Sequence, residues 1–293
     1  MKWLAAYIMR GRLEAMLLAS TLAMLSLILA PLSVFSSGAV ALVTLRKGAY
    51  EGLIILVCSS LAAGILATFI QVSYQFILIY VLFLWIPIWL IAIVHREGRH
   101  MSLAVEMAVL IGIVGVVVYY LLNTDPAAMW AQVMPKMVPA NAPAEDIKRT
   151  IVFIAPYMTG IAAAGAVFSM MLGLFLGRWW QSILYNPGGF REEFLSLKTE
   201  PRLAIISLVI IGVALLSSGA VSQIAWNSAI IVLILYVFIG IAVLHTVFSR
   251  MKIAQYAVAM FYITLFLIPY SLFPVALVGF SDTWLDIRKR KLN

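Results

Sequence analysis

Apolar runs with few charges, most of them close to 20 residues long, recur from one end of this chain to the other. They lie at 13–30, 33–45, 51–70, 75–94, 102–122, 151–177, 203–222, 226–248, 253–268 and 270–287. A helix of about 20 apolar residues spans the ~30 Å hydrocarbon core of a bilayer, whereas a membrane β-barrel is built from alternating segments of about ten. Continuous runs therefore predict helices. The expected fold is all-α, a polytopic transmembrane bundle of about ten membrane-crossing or partly crossing helices. Hydrophobic residues make up 64% of the chain and charged ones 11%, with a mean hydropathy of +1.06. Such a surface requires lipid, not water, as its main solvent.

Four runs differ from a plain crossing. The stretch 33–45 is short for a straight crossing, follows Pro31 and contains Ser36-Ser37-Gly38, so it is expected to begin as a broken or re-entrant segment. The runs 253–268 and 270–287 are one apolar stretch divided at Pro269 and Pro274, where lost backbone hydrogen bonds predict a turn or kink. Arg10 and Arg12 precede the first run in the manner of a signal peptide. The run has no clear small-residue cleavage site, so it is expected to be a retained first helix.

The net charge of +8 has its first explanation in orientation, because loops held in the cytoplasm are rich in Lys and Arg. Nucleic acid is not an expected partner. With a cytoplasmic amino terminus and ten passes, 17 of the 20 basic residues fall inside, and only Lys136, Lys148 and Arg149 fall outside. The asymmetry predicts a multi-pass protein of a bacterial inner (plasma) membrane with both termini cytoplasmic.

A single transmembrane domain, 1–293, is expected, with two soluble insertions. The outside loop at 123–150 carries Pro126, Pro135, Pro139 and Pro143 around Trp130 and reads as a short interfacial helix plus an extended strap. The cytoplasmic loop at 178–202 is amphipathic: Trp179, Trp180, Phe190 and Phe194 oppose Arg191, Glu192, Glu193 and Lys198, with a break at Asn186-Pro187-Gly188-Gly189. It reads as a segment lying on the membrane surface, and Trp179, Trp180, Phe190 and Phe194 are candidate docking residues for a protein partner.

Catalytic motifs do not emerge. The sequence has no Walker A loop, HExxH or GxSxG, so an enzyme is not expected, nor a bound cofactor. Cys58 stands alone, and His95, His100 and His245 fall at separate helix ends. Glu14, Glu51, Glu106, Asp282 and Asp286 lie near helix ends as well, which argues against a proton relay at mid-membrane depth. Polar residues cluster at two expected outside turns, Gln71, Tyr74 and Gln75 in one and Gln223, Trp226 and Asn227 in the other. They are candidates for a cavity mouth, or ordinary turn residues. Small residues recur every fourth position as Ala15, Ala19, Ala23 and as Gly165, Ser169, Gly173, Gly177, two stripes on which another helix can pack closely.

Several of these features occur together in a recognisable order: Ala30-Pro31 after the first helix, a short apolar piece ending in Arg46-Lys47-Gly48, Trp179-Trp180-Gln181 followed by Asn186-Pro187-Gly188 and Phe190, and a closing Gly279-Phe280-Ser281-Asp282-Thr283-Trp284-Leu285-Asp286. The layout resembles the YybS-like family of bacterial membrane proteins, itself similar to the substrate-binding S components of energy-coupling-factor transporters. That resemblance implies a small-residue stripe on the first helix, here Ala15, Ala19 and Ala23, docking on a coupling protein. This chain has more helices than an S component, and no ligand-binding residue carries over. The expected function is a small-solute-binding or transport component. The alternatives are a non-enzymatic scaffold or assembly protein of the cell envelope and, third, a membrane-embedded enzyme.

Overall fold

A computed structural model describes residues 1–138, 144–249 and 254–289, and all secondary structure among them is helical. In chain order the helices are α1 (Lys2–Ile8), α2 (Arg12–Leu25), α3 (Leu32–Lys47), α4 (Ala49–Phe69), α5 (Tyr74–Tyr80), α6 (Ile86–Gly98), α7 (Met101–Leu122), α8 (Pro126–Val133), α9 (Ala144–Ile154), α10 (Met158–Tyr185), α11 (Gly189–Leu195), α12 (Pro201–Leu216), α13 (Gly219–Phe248), α14 (Ala254–Leu267) and α15 (Leu272–Leu285). Each of the ten apolar runs contains a helix. Among the described residues five segments are long and apolar enough to cross a membrane: Ala49–Phe69, Tyr74–Gly98, Met101–Leu122, Ile147–Tyr185 and Gly219–Phe248. The pair Tyr256–Leu267 and Pro269–Leu285 is bent by 118° at its break and counts at most as one broken span. At ~1.5 Å per residue, α2, α3 and α12 reach only part of the way across. The chain is an all-α integral membrane protein.

It separates into two compact units, residues 1–108 with 168–197, and residues 109–167 with 198–293. In the first unit α2 packs on α3 and α4, and Ala15, Ala19 and Ala23 are fully buried there. Ser36 donates to the Ala19 carbonyl at 2.7 Å and accepts from the indole of Trp85 at 3.1 Å. The other stripe divides. Gly173 and Gly177 let α10 lie on α3, since a side chain at the former would strike Ser37 and one at the latter Ala41 and the Gly38 and Leu42 backbone. Ser169 is half-buried in this unit, whereas Gly165 belongs to the second and is exposed.

In the second unit α13 packs against α12 and α15. Gly240 and Gly279 meet at the α13–α15 crossing, where a Cβ on Gly240 would fall on Val275 and one on Gly279 on the Tyr236 carbonyl. Tyr236 closes this core, its hydroxyl 3.0 Å from Ser207 and its ring edge-on to Phe280 at 5.1 Å.

The structure departs from the sequence expectations at four places. Helix α3 runs unbroken through Ser36-Ser37-Gly38, because the Ser37 hydroxyl bonds back to the Ser33 carbonyl at 2.9 Å and Ser36 finds its partner on α2. Helix α10 continues to Tyr185, so the expected cytoplasmic loop at 178–202 begins as helix; nothing in Arg178-Trp179-Trp180-Gln181 interrupts it before Asn186-Pro187. The turn after α12 falls at Ser217-Ser218, with Gly219 at φ +63°, and this places Gln223, Trp226 and Asn227 on α13. In the loop at 123–150, α8 begins at Pro126 as an interfacial helix would, and α9 takes up the residues from Ala144. The expected strap around Pro139 and Pro143 lies outside the described residues.

Candidate functional site

The helix ends of the first unit separate by charge. At one end the starts of α2 and α4 are tied by Arg12 and Glu51 at 2.6 and 3.0 Å. There too the Leu45 carbonyl at the end of α3 accepts from Arg96 at 2.7 Å and from Gln181 at 3.3 Å. Arg46 sits 4.1 Å over the Tyr185 ring. The opposite end, built from 25–32 and 69–76, contains no Asp, Glu, Lys, Arg or His.

Between α10 and α11 the charged end carries an ion cluster whose basic members are buried and whose acid, Glu193, is partly exposed. Arg178 is 5% and His95 6% exposed. The Arg178 guanidinium embraces the Glu193 carboxylate, its Nε 2.9 Å from Oε2 and its Nη2 on Oε1, while His95 Nε2 lies 3.0 Å from Oε2. A fork of this kind is the strong form of an ionic hydrogen bond. Burial by itself pushes the Glu193 carboxyl up, but the hydrogen bonds from His95 and Arg178 and the Arg178 charge outweigh it and hold the group down at about 2.

Local sequence explains why Glu193 arrives there. Asn186-Pro187 stops α10, and Gly188 takes φ +92°, a backbone that glycine adopts freely. The Ser182 hydroxyl staples the reversal, donating to the Asn186 carbonyl at 2.8 Å and accepting from the Phe190 amide at 3.2 Å. Gly189 leaves room beside Asn186 and Arg178. Helix α11 then folds back on α10, with Phe190 and Phe194 stacked at 5.8 Å and both rings against Phe175. Arg191, Glu192 and Ser196 remain exposed.

Of the candidate partner-docking residues, Phe190 and Phe194 thus join α11 to α10, Trp180 is fully buried, and Trp179 stays half-buried in a groove of about 430 Å³. The groove is lined by Trp179, Ser182, Ile183, Pro187, Gly188, Phe190 and Arg191. The grouping of His95, Arg178 and Glu193 was missed in the sequence reading. One signal was available: Arg178 and Glu193 stand eight residues before and seven after Asn186, the spacing expected of two arms around a reversal. His95, 98 residues from Glu193, had no such mark.

The cavity-mouth candidates occupy different units. In the first, Gln71 ends α4 at φ +56°, Tyr74 is exposed, and the Gln75 amide caps α5 on Ser73 at 3.3 Å. In the second, Gln223, Trp226 and Asn227 gather on the segment 156–160. The fully buried Asn227 carboxamide accepts from the Gly160 amide and donates to the Pro156 carbonyl at 2.8 Å, the two groups an uninterrupted helix would pair with each other. Its NH₂ also meets the Gln223 carbonyl at 2.7 Å and the Tyr120 hydroxyl at 3.2 Å, and Trp226 stacks edge-on against Tyr157. Asn227→Leu should lower stability by about 2 kcal/mol, since it strands the Gly160 amide in an apolar setting. Thermal unfolding in detergent measures the loss, and far-UV dichroism should find the helix content preserved.

Among the described residues, no group of three or more His, Cys, Asp or Glu side chains is arranged to hold a metal ion. No family model, curated protein or solved structure matches the chain.

Proposed function

We propose that this chain is a non-catalytic scaffold of a bacterial inner membrane, with the charged end of its first unit in the cytoplasm and α11 as the platform on which a cytoplasmic protein docks. The observation that carries this reading is the clamp of the buried His95 and Arg178 on Glu193. A seven-residue helix is too short to persist alone in water. A desolvated ion cluster is costly to assemble. Here that cost fixes α11 in one place and leaves Arg191, Glu192 and Ser196 facing outward. Arg12, Arg46, Lys47, Arg96 and Arg99 at one end and the uncharged segments at the other support this orientation.

A small-solute-binding or transport role in the manner of an S component draws less support. It asks that Ala15, Ala19 and Ala23 reach a coupling protein, and all three are buried against α3 and α4.

The test is in-cell photo-crosslinking with a reactive residue at Glu192 or Ser196. A discrete protein adduct is expected at these positions and none at Leu61, an exposed apolar position on α4. Glu193→Ala should remove the adduct while the protein remains membrane-inserted. Absence of an adduct at both positions, or one that survives Glu193→Ala, rejects the scaffold reading.

A further inference from the structure

The groove between α10 and α11 is apolar but for one charge, which it shares with the outer face of α11. Its floor and walls are Trp179 and Ile183 of α10, Phe190 of α11 and the Pro187-Gly188 turn, all apolar or backbone, and its one cation is Arg191. The Ser182 hydroxyl at its edge is already committed to Asn186 and Phe190. Arg191 is exposed and forms no ion pair among the described residues, whereas Arg178 behind the groove is neutralised by Glu193. The neighbouring Glu192 is exposed but does not line the groove.

Depth supplies the second argument. The segment 151–177 contains no charged residue, and Arg178 is the first to follow it. Trp179 and Ile183 therefore stand within about two helical turns of the point where the apolar run stops, the level at which hydrocarbon gives way to head groups. Tryptophan is enriched at that level, and arginine there meets the surface of anionic lipid.

We infer that this groove binds an anionic glycerophospholipid, with the upper acyl chain on Trp179, Ile183 and Phe190 and the phosphodiester on Arg191. A volume of about 430 Å³ takes a head group and the first part of one chain, within the usual range of small-molecule sites. The inference concerns a lipid ligand and stands apart from the protein-recruiting role, because the purified chain alone suffices to test it.

Trp179 provides the reporter. The protein is reconstituted into phosphatidylcholine vesicles containing a minor fraction of brominated phosphatidylglycerol or, in parallel, brominated phosphatidylcholine, and subtracting the emission of Trp179→Phe isolates the Trp179 signal. Brominated phosphatidylglycerol should quench that signal severalfold more than the zwitterionic lipid. The preference should vanish in Arg191→Gln and persist in Arg191→Lys; Arg191 is exposed, so neither change threatens the fold. Equal quenching by the two lipids overturns the inference. So does a preference that survives Arg191→Gln, or a Trp179 signal that neither lipid alters and only added cytoplasmic protein shifts. A failed crosslink at Glu192 and Ser196 leaves this outcome untouched, and the reverse also holds.

Discussion

Glu193→Ala is expected to detach α11 and to lower stability by about 3 kcal/mol, the larger of the effects at the charged end. Removing one partner of a buried pair leaves the other charge without compensation. Arg178, 5% exposed and flanked by buried helix surface, has nowhere to take its charge within the folded unit. Glu193→Gln should cost less, since the carboxamide oxygen still accepts one of the guanidinium hydrogen bonds. Limited proteolysis after Tyr185, read beside thermal unfolding in detergent, separates release of α11 from global loss of the fold. The same residue gives a pH dependence. Its carboxyl, held at about 2 against an ordinary 4.5, stabilises the folded state fully above pH 4.5. That contribution disappears as pH falls from there toward 2, and amounts to about 2 kcal/mol once its partial exposure is allowed for. Trp179 emission should accordingly stay constant from neutrality to about pH 5 and change only in the strongly acidic range.

The second large effect is expected at the crossing of α13 and α15. Gly279→Val places its Cβ against the Tyr236 carbonyl and the Gly240 amide, both of them backbone atoms that no rotamer change can move. The two helices must separate, and separation removes the edge-on contact of Tyr236 with Phe280. A loss of about 3 kcal/mol or more is expected, at the upper end of overpacking costs. Gly240→Val should behave alike, and the double variant should lose little beyond either single one, because each already breaks the same interface. By contrast Gly165→Ala, where an added methyl meets open space, should be silent in the same unfolding assay.

How far the sequence reveals this molecule depends on what kind of information each feature carries. The apolar runs announce helices, though not how many of them cross, because hydrocarbon thickness and backbone saturation leave a membrane chain few choices. Proline marks are equally legible, as at Asn186-Pro187 and Pro269. The polar residues at 223–227 misled because a buried amide and a turn amide look identical in one dimension. Asn227 sits inside a helix pair, with three of its hydrogen-bond partners 67 or more positions away. The alanine and glycine stripes announced close packing but not the partner. Ala15, Ala19 and Ala23 found α3 and α4, and the tighter glycine contact, Gly240 with Gly279, follows no i,i+4 repeat and passed unnoticed. Of the candidate site, the aromatic residues around the Asn-Pro-Gly-Gly reversal were readable. The ionic clamp behind them was not, since His95 comes to Glu193 only through the packing of α6.

The Asn227 amide also orders events in time. It completes the first turn of α10, yet the ribosome makes it 67 residues after Gly160. While α10 enters the membrane, the Pro156 carbonyl and the Gly160 amide have only each other or water as partners. In the folded chain a side chain of α13 holds both. The final geometry at the amino end of α10 thus depends on a segment made after it.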